Sequence, residues 1–424
     1  MHGTKIFIGF ATLISLFACT APGTRKDQSA QNPVMTKVER GHYLVNAGDC
    51  ASCHTKKSGK PFAGGVPLHT PFGIIYSPNI TPDKKTGIGQ WSDQDFYNAM
   101  HLGRDKKGKH LYPVFPYPWF TKVSRPDSDA IKAYLNTLAP VYQKKKPNQL
   151  KWPLSWRTSV VAWNLLYFTS GTFKPDVSQS AQWNRGAYLV KGLGHCGECH
   201  TPKNMMGATK KGSKRLTGGA VSKYWFAPSL SDNIRQGIGD WSVPEIVRYL
   251  KTGSNDKSAT AGPMTEVVMN STRYLSDSDL TAIAVYLKNM PKASARVEKT
   301  IVYPSPQALV RGHNVYMYNC AGCHMDGGGG MTHFFPPLKG SATIQAKNPD
   351  TVIHVVLAGA SITAPATIPS GIAMPAFAQT LNNRQITDVV NYIRNSWGNR
   401  SASVQMLTVS NIRKSLRKPN ARKP

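Results

Sequence analysis

The chain has 424 residues, room for about three ordinary domains, and its 40% hydrophobic content with nine tryptophans describes a folding chain rather than a disordered one. Lysine and arginine number 52 against 22 acidic residues, a formal charge of +30. The basic residues are spread along the chain rather than gathered on one recognition helix, which sets nucleic acid aside and favours an acidic protein partner or an anionic membrane surface.

The N-terminus reads as an export signal. Lys5 gives a basic start, and residues 6–18 form an apolar run too short to span a bilayer. The run ends in LFAC, a stretch similar to a bacterial lipobox except for the bulk of Phe17. Two outcomes are open: lipidation of Cys19 as the mature N-terminus, or ordinary cleavage nearby that leaves a soluble protein. Lipidation is preferred because Cys19 stands outside every other motif. Residues 1–19 therefore read as a lipoprotein-type signal and 20–35 as a tether. The protein is expected on the periplasmic side of a bacterial membrane, lipid-anchored or peripheral.

Three copies of one pattern follow. Of seven cysteines, six lie in DCASCH, HCGECH and NCAGCH, which place Cys50, Cys53 and His54, then Cys196, Cys199 and His200, then Cys320, Cys323 and His324. Each copy opens with a related entry: RGHYLV from Arg40, RGAYLV from Arg185 and RGHNVY from Arg311. GIGQWS from Gly87 returns as GIGDWS from Gly237. Each copy closes on a helical pattern, AIKAYL, AIAVYL or DVVNYI, with apolar residues at i, i+3 and i+4. Between entry and closing lie stretches rich in glycine and proline with no sustained alternation. The expectation is an all-α chain of three small domains with loop-rich middles, at 36–140, 181–293 and 307–398. Linkers at 141–180 and 294–306 separate them, and a basic tail at 399–424 ends the chain.

Two cysteines at i and i+3 share one side of a helical turn, so both thiols reach one porphyrin, and the next histidine can give its imidazole to iron. A zinc site needs a further ligand pair that no motif supplies, and neither a redox dithiol nor a disulfide calls for the histidine. Three covalently bound haem c groups are the expected cofactors. On the far side of the iron a thioether suits electron transfer. Repeat three offers Met374 in AMPAF and repeat two Met264 in GPMTEV. In repeat one that slot holds Phe115, which cannot bind iron. There Met100 in the preceding helix is preferred, with His101, His110 or no ligand as alternatives. The stretches SPNI, APSL and PPL after the three motifs resemble those of small c-type cytochromes, and the resemblance implies that the carbonyls of Pro78, Pro228 and Pro337 receive the histidine ring N–H.

These motifs, with FGIIYSPNITPD, LYPVFPYPWFTKVS and CAGCHMDGGG, run nearly the whole chain. Together they resemble the three-haem cytochrome c subunit of membrane-bound bacterial dehydrogenases that oxidise alcohols, gluconate, sorbitol or aldehydes. The resemblance implies a separate large catalytic subunit of flavin, pyrroloquinoline quinone or molybdenum type, and allows a small third subunit. It implies electron transfer from that subunit to ubiquinone or a terminal oxidase. On that reading the chain serves an oxidoreductase acting on CH–OH or aldehyde donors and is not catalytic by itself. Phe115 leans toward the aldehyde or molybdenum-dependent branch. Two other readings stay open: a haem enzyme such as a peroxidase with an open haem in repeat one, and a stand-alone tethered carrier. The aromatic stretch 152–168 either docks a partner, shapes a quinone pocket or packs between repeats. After Trp397 the chain holds seven basic residues and no acid, which either lie on anionic lipid or fray in solvent.

Overall fold

The computed structural model describes residues 2–3, 35–290, 301–332, 334–361 and 373–417. The proposed signal, Cys19, most of the tether, residues 294–300 of the second linker and 418–424 of the tail lie outside the described residues.

Each repeat is built on one helix pair. Lys37–Ala47 packs on Arg125–Thr137, Ala181–Lys191 on Asp277–Lys288, and Pro306–Asn319 on Asn383–Asn395. The repeated Arg-Gly dipeptide explains the crossings. A Cβ on Gly41 would overlap the carbonyl oxygen of Ala130, one on Gly186 that of Ala282, and one on Gly312 that of Asp388, so only glycine allows the helices to approach this closely. The preceding arginine reaches an aspartate on the closing helix in every case: Arg40 to Asp127 at 2.5 Å, Arg185 to Asp279 at 2.7 Å and Arg311 to Asp388 at 2.7 Å. Side-chain caps start these helices, with Thr36, Ser180 and Ser305 accepting at the entries and Ser124, Ser276 and Asn382 at the closings.

The repeats do not stand as three equal beads. One buried cluster joins Leu44, Val45, Ile131 and Leu135 of repeat one to Leu189, Val190, Leu280 and Leu287 of repeat two. Repeat three has its own cluster around Tyr316, Ile353, Val389 and Val390. Hydrogen bonds across the first interface are reciprocal. Tyr43 donates to Asp279 at 2.6 Å and accepts from the Ser276 amide at 3.2 Å. Tyr188 donates to Asp127 at 2.5 Å and accepts from the Ser124 amide at 3.2 Å. Each tyrosine stands three residues after its Arg-Gly arginine and serves the ion pair of the other repeat. Repeats one and two are thus related by a pseudo-two-fold axis. In repeat three that position is Asn314.

Three expectations change. Helices are joined by some strands rather than forming an all-α chain: the described residues hold three small antiparallel sheets, Pro67–Thr70 with Gly73–Tyr76 and Gln149–Leu150, Gly219–Ser222 with Trp225–Ala227, and Ala360–Ser361 with Ala373–Met374. Strands of two to four residues are too short to write an alternating pattern. The linker 141–180 is largely folded onto repeat one, since Gln149–Leu150 extends its sheet and Thr158–Tyr167 is helical. The described part of the tail is also folded: Met406–Leu416 is a helix that buries Val409 and Ile412 in the core of repeat three. There Arg413 donates to Asn383 Oδ1 and the Leu381 carbonyl, both at 2.7 Å. Among the described residues no helix is long and apolar enough to cross a membrane.

Candidate haem sites

Each cysteine motif is a short helical turn at the end of its entry helix: Cys50–His54, Gly197–His200 and Ala321–His324. In the first two, the residue ahead of the first cysteine turns the chain through a left-handed conformation, Asp49 at φ 51° and His195 at φ 34°. Behind each turn a loop carbonyl meets the histidine. Nδ1 lies 2.8 Å from the Pro78 oxygen in His54, 2.7 Å from Pro228 in His200 and 3.0 Å from Pro336 in His324. A carbonyl only accepts, so Nδ1 carries the proton and Nε2 keeps its lone pair for a metal. Pro337, the expected acceptor in repeat three, is displaced by its neighbour Pro336. The spacing explains this: the carbonyl comes from the proline two residues before an apolar residue, as in Pro78–Ile80, Pro228–Leu230 and Pro336–Leu338.

The electrostatics of these groups separate the chemistries. Burial holds His54 down at about 4 and lowers His200 and His324, so the rings are neutral bases. Burial also pushes the thiols up, Cys50 to about 12 and Cys196 and Cys320 to about 11. A redox dithiol needs the opposite shift. None of the six motif cysteines is in a disulfide, and among the described residues no cluster of three His, Cys, Asp or Glu side chains forms a metal site. Two unbridged thiols and one oriented imidazole at each turn fit a haem held by two thioethers and one iron–nitrogen bond. A cavity of about 2600 Å³ is lined by Cys53 and Cys199 together with Trp119 and Trp225. Single small-molecule sites occupy about 300–1,000 Å³, so this space exceeds what one such ligand needs.

On the far side, repeats one and two can be superposed by their backbone bonds. The Leu111 amide donates to the Gly103 carbonyl at 2.7 Å, and the Thr260 amide to Gly253 at 2.8 Å. Four residues further on come Phe115 and Met264, so Phe115 occupies the place of Met264. Met264 opens the helix Pro263–Asn270, and Met374 lies in the strand pair Ala373–Met374, partly buried against the core of repeat three. Phe115 meets Phe120 edge-on at 5.4 Å. Of the alternatives in repeat one, Met100 is buried in the shared core beside Phe96. His101 stacks on Tyr97 at 4.9 Å and meets Thr121 Oγ1 at 3.4 Å, while His110 accepts at Nδ1 from Asn164 at 2.9 Å.

Sequence reasoning missed how the first two turns meet. Trp119 of repeat one donates its indole N–H to Glu198 inside the second turn at 3.0 Å. Asn270 of repeat two donates to Ser52 inside the first turn at 2.9 Å. Ser52 and Glu198 hold the same position in their motifs, and each is met by a residue of the other repeat that lies a few positions after the far-side slot. The tyrosine shared by RGHYLV and RGAYLV but absent from RGHNVY was the available signal. The stretch 152–168 splits its roles. Val160 is buried and Asn164 accepts from Tyr117 at 2.5 Å, whereas Trp152, Trp156, Leu165 and Leu166 are exposed.

Comparison with known proteins agrees with this geometry. The family model described as cytochrome c matches residues 38–139 and 309–397. The chain is 40% identical over 396 residues to the gluconate 2-dehydrogenase cytochrome c subunit of Pantoea cypripedii, covering 89% of each protein. It is 39% identical to the alcohol dehydrogenase (quinone) cytochrome c subunit of Gluconobacter oxydans, over 91% of this chain and 83% of the relative. The fructose dehydrogenase cytochrome subunit of Gluconobacter japonicus is 35% identical over 91% and 84%. With its motifs in matching turns and these relatives spanning nearly its whole length, the chain belongs to the cytochrome c subunits of bacterial dehydrogenases.

Proposed function

We propose that the chain is a three-haem electron-transfer subunit on the periplasmic side of a bacterial membrane. It receives electrons from a separate dehydrogenase subunit that oxidises an alcohol, aldehyde or sugar and passes them to ubiquinone or the respiratory chain. The observation that carries this reading is the threefold recurrence of one donor arrangement, two unbridged thiols on one helical turn and a histidine fixed by a loop carbonyl. Cys50, Cys53, Cys196, Cys199, Cys320 and Cys323 would hold the haems, and His54, His200 and His324 would face the irons. Bound haem supplies a reversible one-electron store. The protein's part is to keep each imidazole neutral and oriented, exclude water, and place the far-side group.

Met264 and Met374 are assigned as far-side ligands of repeats two and three. Met100 is assigned to repeat one, supported by its burial and by the other partners of His101 and His110. The partner is a large catalytic subunit of flavin, pyrroloquinoline quinone or molybdenum type, as the relatives' roles within dehydrogenases suggest. The net charge of +30 suits an acidic partner surface or anionic lipid. Attachment through Cys19 would keep the subunit at the membrane.

The test is a mild-detergent pull-down from native membranes, with candidate substrates added to the isolated complex. Co-purification of a large dehydrogenase subunit and reduction of the haems by one substrate class is the expected result. A chain that comes down alone and is reduced by none would overturn the subunit reading.

A further inference from the structure

The pseudo-two-fold pairing of repeats one and two breaks at the residue before the second cysteine. In the first turn the residue between the cysteines that faces the interface is Ser52, whose hydroxyl donates to Asp49 at 2.6 Å and accepts from Asn270 at 2.9 Å. In the second turn it is Glu198. Its carboxylate accepts from the Trp119 indole at 3.0 Å and pairs with Lys203 at 2.5 Å. The indole is buried and packs against the turn: a Cβ on Gly197, between Cys196 and Glu198, would overlap the Trp119 ring. Glu198 is therefore clamped from two sides, one residue from Cys199, in a partly buried setting where solvent screening is incomplete.

An oxidised iron carries one more positive charge than a reduced one. A fixed carboxylate beside it favours the oxidised form and lowers the potential, and a cation does the reverse. We infer that Glu198, held by Trp119 of the neighbouring repeat and partly offset by Lys203, sets the potential of the haem at Cys196 and Cys199 below the value its turn would otherwise give. Repeat one has Ser52 in that place, hydrogen-bonded to its own acid Asp49, so the clamp on Glu198, which exists only because the repeats are packed together, bears on the second haem. Glu198 is a positioning residue for charge. It touches neither iron nor substrate, and the one-electron exchange it biases needs no proton. The inference rests on the three-haem reading above.

The experiment is a redox titration of the full-length haem-loaded protein in mild detergent, followed in the visible haem bands, with Glu198→Gln and Lys203→Gln beside the parent. Haem per chain is counted first by the pyridine haemochrome spectrum. With three haems present, Glu198→Gln should raise one midpoint and Lys203→Gln should lower the same one. The expected size is about tenfold in the reduced-to-oxidised ratio, or about 59 mV for one electron. A loss of packing alone would move both variants the same way. Shifts of equal sign, or no shift in either, overturn the inference while leaving the three-haem reading in place. Fewer than three haems in the parent overturns the reading on which it rests.

Discussion

Repeats one and two share a scaffold so closely that the same dipeptide, the same ion pair and the same tyrosine recur in each, yet their far-side slots hold Phe115 and Met264. The comparison separates two kinds of constraint. Helix crossing and interface symmetry are fixed by steric contacts that tolerate no side chain at Gly41 or Gly186 and by buried aspartates that need partners. The far-side slot lies in a loop in repeat one and in the first turn of the helix Pro263–Asn270 in repeat two, with no such lock, so its residue can change while the fold stays. Repeat three teaches the converse. It keeps the Arg311–Asp388 pair but carries Asn314 where the others have tyrosine, and it has a separate core.

The strongest break in this comparison is loss of a haem. Cys196→Ala with Cys199→Ala should reduce the count per chain by one. Because repeat two shares its core with repeat one, the thermal transition of both should fall. The equivalent change at Cys320 and Cys323 should also cost one haem but leave the transition of repeats one and two in place. Equal thermal effects from the two double variants would contradict the two-plus-one division of the core.

The next effect is at the far side. Met264→Ala should turn one haem of three from low to high spin, visible in the optical and electron paramagnetic resonance spectra. Met100→Ala should do the same to a different haem. If all three stay low-spin with unchanged potentials in the second variant, Met100 is not the ligand. In that case, Phe115→Met should leave the spectrum of an already complete repeat one unchanged.

Two smaller effects test the pseudo-two-fold axis. Gly186→Ala forces a methyl into the Ala282 carbonyl and should cost about 1–3 kcal/mol by over-packing, measured by denaturant unfolding. Tyr188→Phe removes a hydrogen bond to the buried Asp127 carboxylate and should cost about 1.5–3 kcal/mol at most. Tyr43→Phe should match it, because Asp279 stands in the same relation. Costs that differ widely between the two tyrosines would show that the axis relates backbones but not energetics.

Much of this was legible in the sequence because it was written three times. The cysteine turns, the Arg-Gly entries and the closing helices each announce themselves by recurrence, and a helical stripe such as Ile131 to Leu135 follows from period alone. Two-residue strands such as Gln149–Leu150 leave no periodic trace, so the sheets were missed. The helix Met406–Leu416 was hidden by its charges, although Val409 and Ile412 sit three apart on one face. Pro336 and Pro337 are adjacent, and only the spacing to Leu338 decides between them. The Trp119–Glu198 and Tyr43–Asp279 contacts join residues far apart in the chain, which no local pattern encodes.

The most direct test of the account is a haem count joined to substrate reduction in the native complex. Purified with its partners from membranes, the chain should carry three covalently bound haems by the pyridine haemochrome spectrum. An alcohol, aldehyde or sugar oxidised by the accompanying large subunit should reduce them. A count below three, or haems that no substrate of a co-purifying dehydrogenase reduces, would contradict it.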